Sequence, residues 1–240
     1  NRSNAMIYVM EQQIQPKKQL TPAQAILIAG GVIALAIILS GSNARAWLKD
    51  TFTVEKTPER VAAMLGVGKT TLDACLADGT AKAIVERQNS ESSTAGAQGT
   101  PFGILRTDTG KTFVIAGALK YEQLKSLIDE ILANPNSTKV PWTTPVYPVA
   151  APTDHKIGAE NPKITLIEYS DLDCPYCKQF QTTMHQVVNA YPDTVAWIYR
   201  HSPIDSLHPD ARYKSIVSEC VATAKGNTAF WKYIDTFLKL

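Results

Sequence analysis

The 240-residue chain is long enough for one large domain or two small ones. A formal net charge of +2 argues against a nucleic-acid-binding surface or an acidic tail, and four cysteines are too sparse for a disulfide-stapled miniprotein. The chain begins with Asn1 rather than Met, so residues before Met6 or Met10, 1–5 above all, are set aside as a cloning remnant or a stretch upstream of the true start.

Residues 20–39, LTPAQAILIAGGVIALAIIL, carry no charge and a single strongly polar side chain, Gln24, over a length that crosses about 30 Å of hydrocarbon. The run is apolar on all sides, unlike an amphipathic core helix. It exceeds the roughly 7–15 residues of a signal-peptide core, although Gly41-Ser42-Asn43-Ala44 supplies the small residues that cleavage needs. A transmembrane helix over 20–41 is expected, with 1–19 cytoplasmic and a linker over 42–56. Lys17 and Lys18 precede the span closely, while Arg45 and Lys49 follow at a distance. That bias puts everything after residue 42 outside the cytoplasm, in a single-pass cell-membrane protein facing the periplasm or the extracellular space. Such a compartment is oxidising.

Residues 57–89 read as short helices. Thr57-Pro58-Glu59 supplies an N-cap and a first-turn proline, and Gly66 closes that helix. Thr70 or Thr71 opens a second one, which carries Leu72, Cys75 and Leu76 and ends near Gly79. Gly68-Lys69-Thr70 is not a phosphate loop, because the pattern needs glycine at position 63 and Ala63 stands there. Asn89 to Gly99 is polar and small. Beyond Thr100-Pro101, the runs 102–107 and 112–116 flank a turn at 108–111 and predict a β-hairpin. Tyr121, Leu124, Leu127, Ile128, Ile131 and Leu132 then mark a helix with one apolar face. This β-β-α unit, which with its leading helices covers 57–133, cannot bury both sides of its sheet alone. The Pro-rich stretch 134–162 is expected to be an extended linker tying it to 163–240.

Residues 164–169 are strand-like and lead into Asp171-Leu-Asp-Cys174-Pro-Tyr-Cys177-Lys-Gln-Phe180. Phe180, Met184, Val187, Val188 and Tyr191 recur at helical period, which puts Cys174 at a helix N-terminus. Unpaired backbone N–H groups and the helix dipole favour a thiolate there, lowering a thiol from its free pKa of about 8.5 by one to several units. Pro175 suits the first turn, and Cys177, one turn on, can attack a mixed disulfide at Cys174. A C-x-x-C pair also serves as half of a zinc site, but Cys75 and Cys220 are isolated and His155, His185, His201 and His208 form no H-x3–5-H pair. A redox-active dithiol without metal or cofactor is therefore the reading, with zinc or an inert disulfide as alternatives. Residues 195–199 read as a second buried strand, which completes a parallel β-α-β unit with Trp197 and Tyr199 in its core. Residues 211–225 and 229–240 read as helices. His185 is expected on the exposed side of its helix, and His201 and His208 are expected to shape a loop.

The stretch Glu168-Tyr-Ser-Asp-Leu-Asp-Cys174-Pro-Tyr-Cys177-Lys-Gln-Phe180, with Tyr199-Arg-His201 and Leu207-His208-Pro209 behind it, resembles the DsbA-like branch of the thioredoxin-fold thiol:disulfide oxidoreductases over residues 162–240. Residues 57–133 resemble the other half of the same family, Gly99-Thr100-Pro101 being similar to its cis-proline loop and the hairpin and helix to its C-terminal motif. Cys-Pro-Tyr-Cys also occurs in glutaredoxins, whose small cytosolic chains lack the acidic lead-in, the helical inserts and the span. The resemblance implies an α/β thioredoxin-like fold: β-α-β plus β-β-α with a helical insert, the halves in permuted order, preceded by one transmembrane helix. Three arrangements are open. The halves fold together as a circular permutant, or a degenerate domain precedes a catalytic one cut at Leu240, or two chains exchange halves.

The resemblance also implies roles. Cys174 is the exchanging sulfur and Cys177 the resolving one; Glu168 is either the proton acceptor for Cys177 or a partly buried acid that caps the sheet. Thr100 and Pro101 lie against the dithiol and offer backbone groups to a substrate strand. If the halves pack as one domain, Cys75 and Cys220 form a structural disulfide; the alternative is two buried free thiols. Expected partners are protein thiols and disulfides, a membrane redox partner and the membrane itself through 20–41, with no nucleic acid. The expected function is an extracytoplasmic, membrane-tethered thiol:disulfide oxidoreductase, an oxidase ahead of a reductase or isomerase. A non-catalytic thioredoxin-like binding module is the reading from a different class.

Overall fold

The computed structural model describes residues 56–143, 151 and 153–239. The expected cytoplasmic segment 1–19, transmembrane helix 20–41 and, but for its last residue, linker 42–56 lie outside the described residues. Among those described, no helix is long and apolar enough to cross a membrane.

Three helices come first: α1 (Pro58–Met64), α2 (Lys69–Asp78) and α3 (Thr80–Thr94). The Thr57 hydroxyl accepts from the Arg60 N–H and Pro58 takes the first turn of α1, each satisfying or removing a donor that would go unpaired. Helix α2 begins at Lys69, with Gly68 as its N-cap, so the Gly-Lys-Thr run is a helix start. Helix α3 runs on through Asn89 to Thr94, into the stretch that composition marks only as polar and small. Its Gln88 and Ser92 are buried: Gln88 Oε1 accepts from the His201 N–H, Ser92 bonds Ser202, and Glu91 meets Arg200. A helix that buries polar side chains carries no apolar period, so hydropathy does not reveal it.

The hairpin strands β1 (Phe102–Thr107) and β2 (Thr112–Ala116) turn at Gly110, whose φ of +87° favours glycine. Helix α4 (Tyr121–Ala133) follows, burying Leu124, Ile128 and Ile131. The 134–162 stretch differs from an extended tie. Ser137 and Val140 are buried, Trp142 Nε1 donates to the Ser137 carbonyl at 3.0 Å, and Thr143 pairs with Thr112 at the edge of β2. Within it His155–Gly158 forms an edge strand, β3, of four residues, too short for alternation to announce. The remaining elements are β4 (Ile164–Ser170), α5 (Pro175–Ala190), β5 (Val195–His201), α6 (Ala211–Lys225) and α7 (Asn227–Leu238).

The strands form one sheet in the order β2-β1-β4-β5-β3. Strands β4 and β5 are parallel, with α5 as their crossover, and β1 lies antiparallel to β4 with Phe102 opposite Tyr169 and Thr107 opposite Ile164. The hairpin of the first half is thus hydrogen-bonded to the first strand of the second half. On one face Leu105, Ile115, Leu166, Trp197 and Tyr199 join a core with Leu124 and Ile128 of α4, Phe180 and Met184 of α5 and Phe230 of α7. The other face gathers Phe102, Ile104, Ile167, Tyr169 and Ile198. Arg200, buried there, is held by both oxygens of Asp154 at 2.9 and 2.7 Å and donates to the Tyr169 hydroxyl at 3.0 Å. Cys75 of α2 and Cys220 of α6 are joined as a disulfide, their Cα atoms 5.7 Å apart.

Candidate active site

Strand β4 delivers the chain to the middle of the sheet edge at Ser170, and the turn 171–173 hands it to α5. Cys174 is the N-cap of that helix in extended conformation, with Pro175 in the first turn. Its N–H donates to the Asp171 carbonyl at 3.2 Å, and the Asp171 N–H in turn points at Cys177 Sγ at 3.5 Å. Both thiols are free. Cys177 is wholly buried, whereas Cys174 keeps 5% of its surface, so only Cys174 can meet a second molecule. Tyr176 between them is 61% exposed. The Thr100-Pro101 peptide, cis, leads into β1 and places the Thr100 carbonyl 3.4 Å from Cys174 Sγ. Residues 74 apart in the chain meet here because β1 is paired with β4.

The two sulfurs are pushed in opposite directions. The Cys177 thiol beside it, working against burial and helped by the Thr100 side chain and the N–H groups of Cys177 and Tyr176, holds Cys174 down at about 5. Cys177 is driven well above the ordinary thiol range by burial, by its hydrogen bond to Cys174 and by the nearby Glu168. A shared hydrogen bond between neighbouring thiols lets one ionise only by keeping the other protonated.

Glu168 stands beside Tyr199 in the parallel register. It is not partly buried, as the sheet-capping alternative supposed, but wholly enclosed, with neither carboxylate oxygen completing a hydrogen bond. Burial pushes it up to about 8, with Ser170 and Trp197 pulling the other way and the charge of Cys174 adding to the rise. The group is therefore a neutral acid at pH 7, close enough in acidity to a thiol to trade a proton with one.

The histidines depart from expectation in part. His185 is half-buried rather than exposed, with Nε2 2.7 Å from Asp235 and its ring set edge-on to Trp197 at 5.3 Å. His201 is the last residue of β5 rather than a loop residue, and it shares the buried Glu219 with His155, each at 3.0 Å. His208 does lie in a loop, where Nδ1 is 3.0 Å from Asp171 Oδ2. The sequence offered the acidic Asp-Leu-Asp lead-in as a feature without a role. Its contacts, with His208 and with Lys214, come from residues 37 and 41 positions away and had no local signal.

Residues 150–239 match the family model described as Thioredoxin. Among curated proteins, the chain is 32% identical over 93 residues to a Na(+)/H(+) antiporter NhaA 3 of Salinispora tropica and 30% over 93 residues to a Na(+)/H(+) antiporter NhaA 1 of Salinispora arenicola. It is 31% identical over 75 residues to a Na(+)/H(+) antiporter NhaA 1 of Mycolicibacterium gilvum. These matches take in 39%, 39% and 31% of this chain but only 14%, 14% and 12% of the relatives, so the chain spans a small part of their length. With its parallel β-α-β unit, and a dithiol at the start of the crossover helix, the chain carries a thioredoxin-fold domain.

Proposed function

We propose that the chain is a thiol:disulfide oxidoreductase of the DsbA-like kind, acting as an oxidase through Cys174 and Cys177. One juxtaposition carries the reading: an acidic sulfur at a helix N-terminus, 3.4 Å from the carbonyl of a proline loop contributed by the other half of the chain. In the oxidised protein a substrate thiolate attacks Cys174 Sγ, the Cys174–Cys177 bond breaks, and Cys177 leaves and takes up a proton. Glu168, neutral at pH 7, is the nearby acid that supplies it. The substrate's second thiolate then attacks the substrate sulfur of the mixed disulfide and Cys174 leaves as a thiolate. The substrate has gained a disulfide, and its two electrons rest on the reduced dithiol. A stabilised Cys174 thiolate is a good leaving group and favours the reduced protein, which makes the disulfide oxidising. Thr100 and Pro101 offer backbone groups to an extended substrate segment.

The same reading places the domain outside the cytoplasm, tethered by 20–41 and reoxidised by a membrane redox partner. The Cys75–Cys220 disulfide supports that placement, because such bonds persist in oxidising compartments. The shared sheet favours a circular permutant over a truncated second domain. A second reading, a thioredoxin-like module that binds without turnover, is favoured by the matches to proteins named as antiporters. Peptide-oxidation and insulin-reduction assays on the parent and on Cys174→Ser decide between them. Turnover in the parent, lost in C174S, is expected; a parent with no turnover leaves the binding module.

A further inference from the structure

Two carboxylates stand just ahead of the exchanging sulfur, Asp171 three residues before Cys174 and Asp173 next to it. Left bare, each would oppose a thiolate there by like-charge repulsion. Neither is bare. Asp171 is wholly buried; Oδ1 accepts the Asp173 N–H at 2.8 Å, while Oδ2 accepts the Ile204 N–H at 2.8 Å and faces His208 Nδ1 at 3.0 Å. Asp173 Oδ1 meets Lys214 Nζ at 2.5 Å, and the ammonium also lies over the Phe237 ring, 5.5 Å from its centre. His208 and Lys214 both come from the segment after β5. Lys214 is the fourth residue of α6, its N–H bonded to the Asp210 carbonyl, and its ammonium reaches back to Asp173.

We propose that His208 and Lys214 are positioning residues for the dithiol: they pin the 171–173 turn, and the Lys214 ammonium offsets the negative charge of Asp173 next to Cys174, so that its thiolate is retained. This rests on the oxidoreductase reading. The other titratable groups around Cys174 are Cys177 and Glu168, with Tyr176 and Lys178 following on α5, while the loop before β1 presents the uncharged Thr100 and Pro101. Asp205 and Arg212, in the same segment as His208 and Lys214, pair with each other.

The test is the pH titration of thiolate absorbance in the reduced protein, with the rate of alkylation near the midpoint as a second readout. Lys214→Met is expected to move the midpoint upward and slow alkylation about three- to tenfold, the effect of one partly screened charge uncovered on the residue next to Cys174. Asp173→Asn is expected to move it downward, and D173N/K214M to return it close to the parent. His208→Ala, which leaves Asp171 Oδ2 without its side-chain partner and loosens the turn, is expected to shift it upward by less. A purely structural role for Lys214 would lower the melting temperature without restoration in the double variant. The proposal is overturned if K214M and H208A titrate with the parent, or if D173N/K214M does not recover. Should K214M fail to fold, D173N alone decides, and an unchanged or raised midpoint overturns the proposal. Failure of the oxidoreductase reading is distinct, since the parent itself would then show no thiolate below the free-thiol range of about 8.5.

Discussion

Glu168 is a residue whose chemistry works against the fold that holds it. Its folded value, near 8, lies above the ordinary carboxylate value of 4.5, so the unfolded chain releases the proton first as pH rises. Stability is therefore full below the unfolded value and declines across the window from 4.5 to about 8. Glu168→Leu removes that loss and the two unpartnered oxygens together. It is expected to stabilise the protein at pH 8 by a few kcal/mol, because each tenfold difference in acidity between folded and unfolded chain is worth about 1.4 kcal/mol and local relaxation recovers part of it. If Glu168 exchanges a proton with Cys177 as proposed, the same variant's exchange rate falls about tenfold or more and loses any inflection near pH 8. Denaturant melts and exchange rates measured from pH 5 to 9 check both halves. A variant both less stable at pH 8 and as fast as the parent would falsify this account of Glu168.

At the scale of elements, strand β3 and helix α6 are joined by a buried acid between two imidazoles. Burial alone would raise Glu219, but the hydrogen bonds and charge of His155 and His201 outweigh it and hold the group at about 2. His201 is held below its ordinary value, chiefly by burial. Both effects carry the same sign. Glu219 contributes stability above its unfolded value that is lost as pH falls towards 2, and His201 begins to lose its share once pH drops below its ordinary 6.5. The melting temperature is expected to fall steadily from pH 7 to pH 3. Glu219→Gln is expected to start lower at pH 7 and to fall less steeply; a parent curve that stays flat to pH 3 contradicts the assignment. Strands and helices with a repeating apolar signal, such as Phe180-Met184-Val187 in α5, were legible in the sequence. Strand β3 and the end of α3 were not, because Gln88 and Ser92 are buried, and His155 half-buried, through polar contacts rather than an apolar repeat. The dithiol and its helix N-terminus were legible because a motif and a period overlap there. Glu168 was legible by position but not by degree of burial, and the Asp171–His208 and Asp173–Lys214 pairs are products of the fold.

At the scale of the whole molecule, the disulfide and the β1–β4 pairing both join the segment before residue 134 to the segment after residue 162. A Cys75–Cys220 linked peptide is expected in an unreduced digest of monomer isolated by size, and a link found only in dimer would mean exchange between chains. The described sheet has its middle strand, β4, paired with β1 on one side and β5 on the other. Translation therefore releases the outer hairpin well before the strand that completes it, and β1 leaves the ribosome or translocon with one backbone edge unsatisfied. Until β4 arrives, that edge is open to strands from other nascent chains. The order of synthesis also means that the proline loop is already made when the first sulfur of the dithiol emerges, so the reactive thiol is never released ahead of the surface that receives it.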